Sequence, residues 1–200
     1  METNQLKYLL QEEANRYFET KRKRFEVDEF NTKALNLICK YFSNDITFEK
    51  THKGDLTKGL FLYGKNGIGK TSLFKIIQII SRKYKLKQLW YPIISTSEVV
   101  HKFNTDKFKD YIIKKYSNGI YMFDDLGAEN EANNTYVFGK EDIFIKILEA
   151  RYDAFISKGT ITHITSNLSM SQISDRYGKR VEDRFYEMFN FIEIKGESRR

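Results

Sequence analysis

The sequence predicts an α/β fold, a parallel β-sheet with helices on both faces. Two observations carry this. Short apolar or β-branched runs alternate along the chain with longer stretches of helical periodicity, with no internal repeat and no low-complexity tract, as in sheets whose crossovers are helices. The apolar run 60–63 also leads directly into Gly-Lys-Asn-Gly-Ile-Gly-Lys-Thr at 64–71, and a helical face of Leu73, Phe74, Ile76, Ile77, Ile79 and Ile80 follows. That is the strand–loop–helix context in which G-x-x-x-x-G-K-[ST] binds phosphate. Glycines let the backbone curl and aim its N–H groups at phosphate oxygens, and the helix start adds a field that favours anions. Gly64, Lys65, Asn66, Gly67, Ile68, Gly69, Lys70, Thr71 and Ser72 are therefore the candidate nucleotide-binding residues. Lys70 is expected to reach the terminal phosphates, and the Thr71 hydroxyl to bind Mg²⁺.

Composition narrows the class. Of 200 residues, 40% are hydrophobic and 15% aromatic, enough for one core domain. Mean hydropathy is −0.57, and no apolar run approaches the ~18 residues of a membrane span. The polar start Met1–Gln5 has no apolar leader segment. A single cysteine, Cys39, excludes an internal disulfide and fits a reducing cytoplasm. His52, His101 and His163 are scattered and have no zinc spacing. The net charge of +7 leans towards a polyanionic partner.

Taken in order, residues 4–19 carry a helical pattern of Leu6, Leu9, Leu10, Ala14, Tyr17 and Phe18, followed by the basic run Lys21–Arg24. That run is either a solvated linker or a phosphate contact. A second helix starts near Asp28 or Asn31, with Ala34, Leu35, Ile38, Tyr41 and Phe42 inward. The polar stretch 43–59 is expected to be a loop. The division expected is a short helical arm over 1–45 and a core over 46–200. Gln88 to Ile94 has the composition of a strand, which Pro92, the only proline, assigns to the sheet edge. Ser95 and Glu98 have capping-box spacing ahead of a helix with Val99, Val100 and Phe103. The next helix sets Phe108, Tyr111, Ile112 and Tyr116 against Lys107, Lys109, Lys114 and Lys115. Those lysines are a solvated face or a DNA contact.

Ile120–Phe123 is a third apolar strand, and it ends in Asp124 and Asp125. In open parallel sheets ligands bind at the carboxyl ends of strands, and a carboxylate there is the natural holder of a Mg²⁺ shell. Asp124 is the metal candidate, and Asp125 or Glu129 the group that polarises an attacking water. A polar loop is expected over 128–140. After it come an amphipathic helix from Ile143 to Ile156 ending at Gly159, a β-branched strand over 160–165 that delivers Ser166 and Asn167, and a capping box at Ser169 and Gln172. A helix from about Lys179 presents Arg180 and Arg184 on one face. Phe191 to Lys195 is the last strand.

These motifs together resemble the AAA+ ATPases, specifically the helicase loaders and transposition helpers of the DnaC/IstB type, from about residue 25 to the C-terminus. Residues 59–71 resemble the family's Walker A segment. Met122-Phe123-Asp124-Asp125-Leu126-Gly127 resembles its Walker B, with Asp125 where Glu is common elsewhere. Thr162–Asn167 resembles the sensor-1 strand, with Asn167 as the sensor. Tyr177–Phe185 resembles the arginine-finger helix. The ending Gly196-Glu197-Ser198-Arg199-Arg200 is similar to a family terminus that has Tyr where Arg199 stands.

The resemblance implies a P-loop NTPase fold of three layers with a five-stranded parallel sheet. Because only Gly196–Arg200 follow the last strand, no C-terminal lid is expected. It implies binding of ATP with Mg²⁺, slow hydrolysis as a monomer, and assembly into a ring or spiral in which Arg184 reaches the γ-phosphate held by the next subunit. Lys70, Asp124, Asp125, Asn167 and Arg184 are the catalytic set implied. For Arg184 and Arg180 the alternative is a surface ion pair, for instance with Glu182 or Glu187. The implied partners are single-stranded DNA, through the basic 97–116 region, and a replicative helicase or a transposase. A catalytically weak ATP-dependent DNA-binding module is the non-enzyme alternative. A GTPase is disfavoured because no N-K-x-D follows the DxxG at 124–127, and a small-molecule kinase because no arginine-rich substrate lid is found.

Overall fold

The computed structural model describes residues 1–129 and 142–199. Most of the polar loop expected over 128–140, and Arg200, lie outside them. The chain forms two compact units. One comprises residues 1–56, 64–91 and 192–200, and the other residues 57–63 and 92–191.

The second unit carries the sheet up to Phe191. β1 (Gly59–Tyr63), β2 (Ile93–Ser95), β3 (Tyr121–Leu126), β4 (Thr162–Ser166) and β5 (Phe189–Glu193) lie in the order β2-β3-β4-β1-β5, a five-stranded parallel sheet. The first five residues of the strand expected from Gln88 lie outside the ladder. Residues 87–89 form a 3₁₀ turn, and the strand begins only at Ile93. Pro92 has no N–H to give a ladder, but its carbonyl accepts from Met122 N at 2.9 Å. The strand is at the sheet edge, where a proline is tolerated.

Helices α5 (Thr96–Thr105), α6 (Lys109–Ser117), α7 (Ile143–Lys158), α8 (Met170–Tyr177) and α9 (Lys179–Met188) belong to this unit. Ser95 caps α5 by accepting from Glu98 N, and Ser169 and Gln172 close a complete capping box on α8. α7 ends at Gly159 with φ +64°. The core gathers Phe61, Phe123, Phe144, Ile147, Ile164 and Phe185 with their neighbours. Two polar side chains are buried with them. His163 accepts from Leu60 N through Nδ1 at 3.1 Å, and burial pushes its pKa down to about 3. Arg151 of α7 is fully buried.

In the first unit, α1 (Thr3–Glu19) packs on α4 (Lys70–Lys83) and on α2 (Thr32–Phe42). α1 and α4 are joined at one end by the buried Glu13 carboxylate, which accepts from Lys83 at 2.7 Å and from Arg16. The stretch 43–59 is not all loop, since Thr47–His52 forms α3, anchored by the buried Phe48. Cys39 is buried, and burial raises its thiol pKa to about 12. Among the described residues no helix is long and apolar enough to cross a membrane.

Candidate functional site

The glycine loop expected to bind phosphate occupies residues 64–69 of the first unit, between β1 and α4 in the chain. Gly64, Gly67 and Gly69 all have positive φ, at 141°, 80° and 100°, which side chains resist. At Gly64 the constraint is also steric, because a Cβ would come within 2.3 Å of the Ile194 carbonyl oxygen. Lys70 opens α4 and is only 5% exposed. Its Nζ donates to the carbonyls of Gly64 at 2.7 Å and Lys65 at 2.8 Å, so the ammonium is folded over the loop. Thr71 and Ser72 are half-buried on the first turn of the helix, while Lys65 and Asn66 are exposed. A curled glycine loop, a helix N-terminus and an enclosed lysine fit a nucleotide's phosphate chain.

The second unit presents a carboxylate cluster at the carboxyl end of its sheet. Strand register sets Tyr63 of β1 and Leu126 of β3 both opposite Ser166 of β4. The β3–β4 pairing is irregular between Phe123 and Leu126, and Asp125 has φ +55°. A bulge with a non-glycine residue in the left-handed region is the kind of local strain that concentrates at functional sites. Asp124 and Asp125 are both half-buried rather than alternating in and out. Thr165 of β4 secures the bulge: its hydroxyl donates to Asp124 Oδ1 at 2.6 Å and accepts from Asp125 N at 2.9 Å. Thr96 donates to the Asp125 carbonyl at 2.9 Å. Each unit offers an oxygen of the kind a divalent cation takes: the half-buried Thr71 hydroxyl in the first and the half-buried Asp124 carboxylate in the second.

Asn167 is half-buried just past β4. It follows Ser166, whose hydroxyl donates to the Leu126 carbonyl at 2.7 Å and fixes the strand end. Glu129, considered with Asp125 for polarising water, is buried and engaged. It accepts from Gly127 N at 3.0 Å and from the Tyr177 hydroxyl, and Arg176 lies 3.5 Å away. Its carboxylate therefore ties the loop after β3 to α8.

Arg184 does not pair with Glu182 or Glu187. Its Nη1 donates to Glu149 of α7 at 3.1 Å, and its guanidinium lies 4.6 Å from the centre of the Tyr152 ring. Its side chain is 15% exposed. Arg180 approaches the same Glu149 carboxylate at 3.6 Å but is 73% exposed. Glu149 and Thr165 were not legible as site residues, although a strand ending in Thr165-Ser166 is a polar signal at the right place.

No protein-family model matches the chain, and no curated protein does. Solved structures do. A structure of DnaI is similar over 86% of this chain and 88% of its own, at 22% identity and a TM-score of 0.57. AMPPCP-bound DnaA from Aquifex aeolicus is similar over 86% of this chain and 49% of its own, at 19% identity and a TM-score of 0.58. Replication initiator DnaA bound to AMPPCP and single-stranded DNA is similar over 86% and 49%, at 20% identity and a TM-score of 0.56. The chain spans about half the length of these DnaA chains. The fold is that of these DnaI and DnaA structures.

Proposed function

We propose that the chain is a Mg²⁺-dependent AAA+ ATPase that assists DNA replication, as a loader of a replicative helicase onto single-stranded DNA. The observation that carries this reading is the phosphate loop, with its enclosed Lys70 held over the Gly64 and Lys65 carbonyls. In this reading Lys70 moves to the nucleotide phosphates, and Thr71 and Asp124 hold Mg²⁺. Asp125 orients the attacking water, and Asn167 senses the γ-phosphate. Mg²⁺ supplies charge neutralisation on the phosphates. The strained bulge at Asp125 and the Thr165 hydroxyl support a preorganised carboxylate end.

Single-stranded DNA is the partner chemistry that the second unit favours. Phe108 and Tyr111 are 75% and 59% exposed on or beside α6, among Lys107, Lys109, Lys114 and Lys115. Exposed rings for base stacking and lysines for the backbone are the ingredients of sequence-tolerant single-strand binding. The likeness to DnaI and to DnaA supports a role in replication at the level of fold.

Arg184 is assigned to the γ-phosphate of a neighbouring copy in a ring or spiral. Leaving Glu149 means giving up a partly exposed ion pair, a cost of about 1 kcal/mol or less. A finger arginine contributes about 10³–10⁵ in rate. Arg184→Ala is therefore expected to bind ATP within about threefold of wild type while losing at least ~10²-fold in turnover. Fluorescent-nucleotide titration and steady-state phosphate release measure the two. Wild-type turnover by Arg184→Ala in the presence of single-stranded DNA would refute the assignment.

A further inference from the structure

The segment after β5 runs along the phosphate loop. It first meets the loop at Ile194, whose carbonyl oxygen sits where a Cβ on Gly64 would come. It meets the loop again at Arg199, whose backbone N–H donates to the Gly67 carbonyl at 3.0 Å. Between these points Gly196 bends the chain at φ +109°. The Arg199 side chain extends elsewhere: it donates to the Glu26 carbonyl at 2.8 Å and to Asp28 Oδ2. Asp28 uses its other oxygen to accept from the Phe30 and Asn31 amides ahead of α2.

A loop that aims its N–H groups inward at an anion turns carbonyls outward, and those carbonyls need donors. Gly64 and Lys65 are served by the Lys70 ammonium, which an incoming phosphate would draw away. Gly67 is served by a backbone amide, which no phosphate draws away. The guanidinium of Arg199 is paired to Asp28, so its contribution is to geometry and not to charge at the phosphates.

We propose that residues 194–199 form a strap that holds the phosphate loop in its anion-receiving shape, with Arg199 as the positioning residue that latches the strap to Asp28 and Glu26. The consequence for nucleotide affinity rests on the ATP reading above; the consequence for the loop does not.

The test compares wild type, Arg199→Ala, Asp28→Asn and the double variant. Asp28→Asn keeps an oxygen for the Phe30 and Asn31 amides while removing the charge that Arg199 uses. Two quantities are measured on each full-length protein: the Kd for Mg-ATP, and amide exchange over 64–69 without nucleotide. Each single variant is expected to weaken ATP binding about tenfold and to speed exchange over 64–69 by a similar factor. The double variant is expected to go no further, since both changes release one latch, and the unfolding temperature is expected to stay within about 2 °C of wild type. Arg199→Lys retains the charge but not the two-point reach, and is expected to restore less than half of the lost affinity. Wild-type exchange over 64–69 in Arg199→Ala, or strictly additive effects in the double variant, would overturn the strap. If wild type binds no ATP, the ATP reading fails, and the exchange measurement still decides the strap.

Discussion

Lys70→Ala is expected to remove detectable ATP turnover and to weaken nucleotide binding by about 10³-fold, while leaving the protein folded. The two effects separate on magnitude. In the fold, Lys70 contributes two ammonium–carbonyl hydrogen bonds at 2.7 and 2.8 Å to a part-buried loop, a net contribution on the order of 1–2 kcal/mol. Alanine is at least as good a helix former at the first position of α4, which offsets part of that loss. Against a phosphate, the ammonium contributes about 4 kcal/mol per unit charge at 4 Å for an effective dielectric near 20, which is roughly a thousandfold in affinity. Calorimetric titration with Mg-ATP and a thermal melt check the two halves. A variant that melts close to wild type yet binds nucleotide about 10³-fold more weakly is the expected outcome. Equal ATP affinity in the two proteins would remove the phosphate loop from the account.

Arg151→Ala is expected to be the most destabilising single change outside the phosphate loop, at ~3–5 kcal/mol, or about 10 °C in Tm. Arg151 is fully buried in the second unit. Its guanidinium donates to Thr162 Oγ1 and the Tyr116 carbonyl at 2.7 Å each, to the Gly119 carbonyl at 2.8 Å and to the Ile161 carbonyl at 3.1 Å. It lies against the rings of Phe123 and Tyr121. Burial pulls its pKa down to about 10, so it stays charged at neutral pH and satisfies oxygens at the starts of both β3 and β4. Removing it strands those oxygens and opens a cavity. Arg151→Met fills the volume but not the hydrogen bonds, and is expected to recover about half the loss. Denaturant unfolding of the two variants checks this. A loss below about 1 kcal/mol for the alanine variant would mean that water replaces the guanidinium.

Much of this arrangement is legible in the sequence because local chemistry and tertiary role agree there. The glycine loop, the apolar runs at β1, β3 and β4, the Ser95 and Ser169 caps and the glycine that ends α7 each report their own conformation. Pro92 reports the sheet edge for the same reason. Other features depend on partners far along the chain. Arg151 has the spacing of an ordinary cation on an amphipathic helix, and only the fold reveals the four oxygens it serves. Arg184 has acidic neighbours nearby in sequence, yet it pairs with Glu149 from α7 because α9 packs against that helix. The left-handed Asp125 follows from pairing with β4 through Thr165, which no pattern within β3 encodes. The six residues of α3 bury a single apolar side chain, Phe48, too few for a helical period to show in the sequence. The strand expected from Gln88 failed at its start because residues 87–89 close a turn instead, and the ladder begins only past Pro92.

The central claim is that the phosphate loop serves an ATPase completed by a neighbouring copy. Steady-state ATP turnover per subunit, followed against protein concentration with and without single-stranded DNA, tests it most directly. Specific activity is expected to rise with concentration over the range in which subunits associate, and to rise at lower concentration when single-stranded DNA is present. Turnover per subunit that is constant across that range, or absent at every concentration with DNA and Mg²⁺ present, would contradict it.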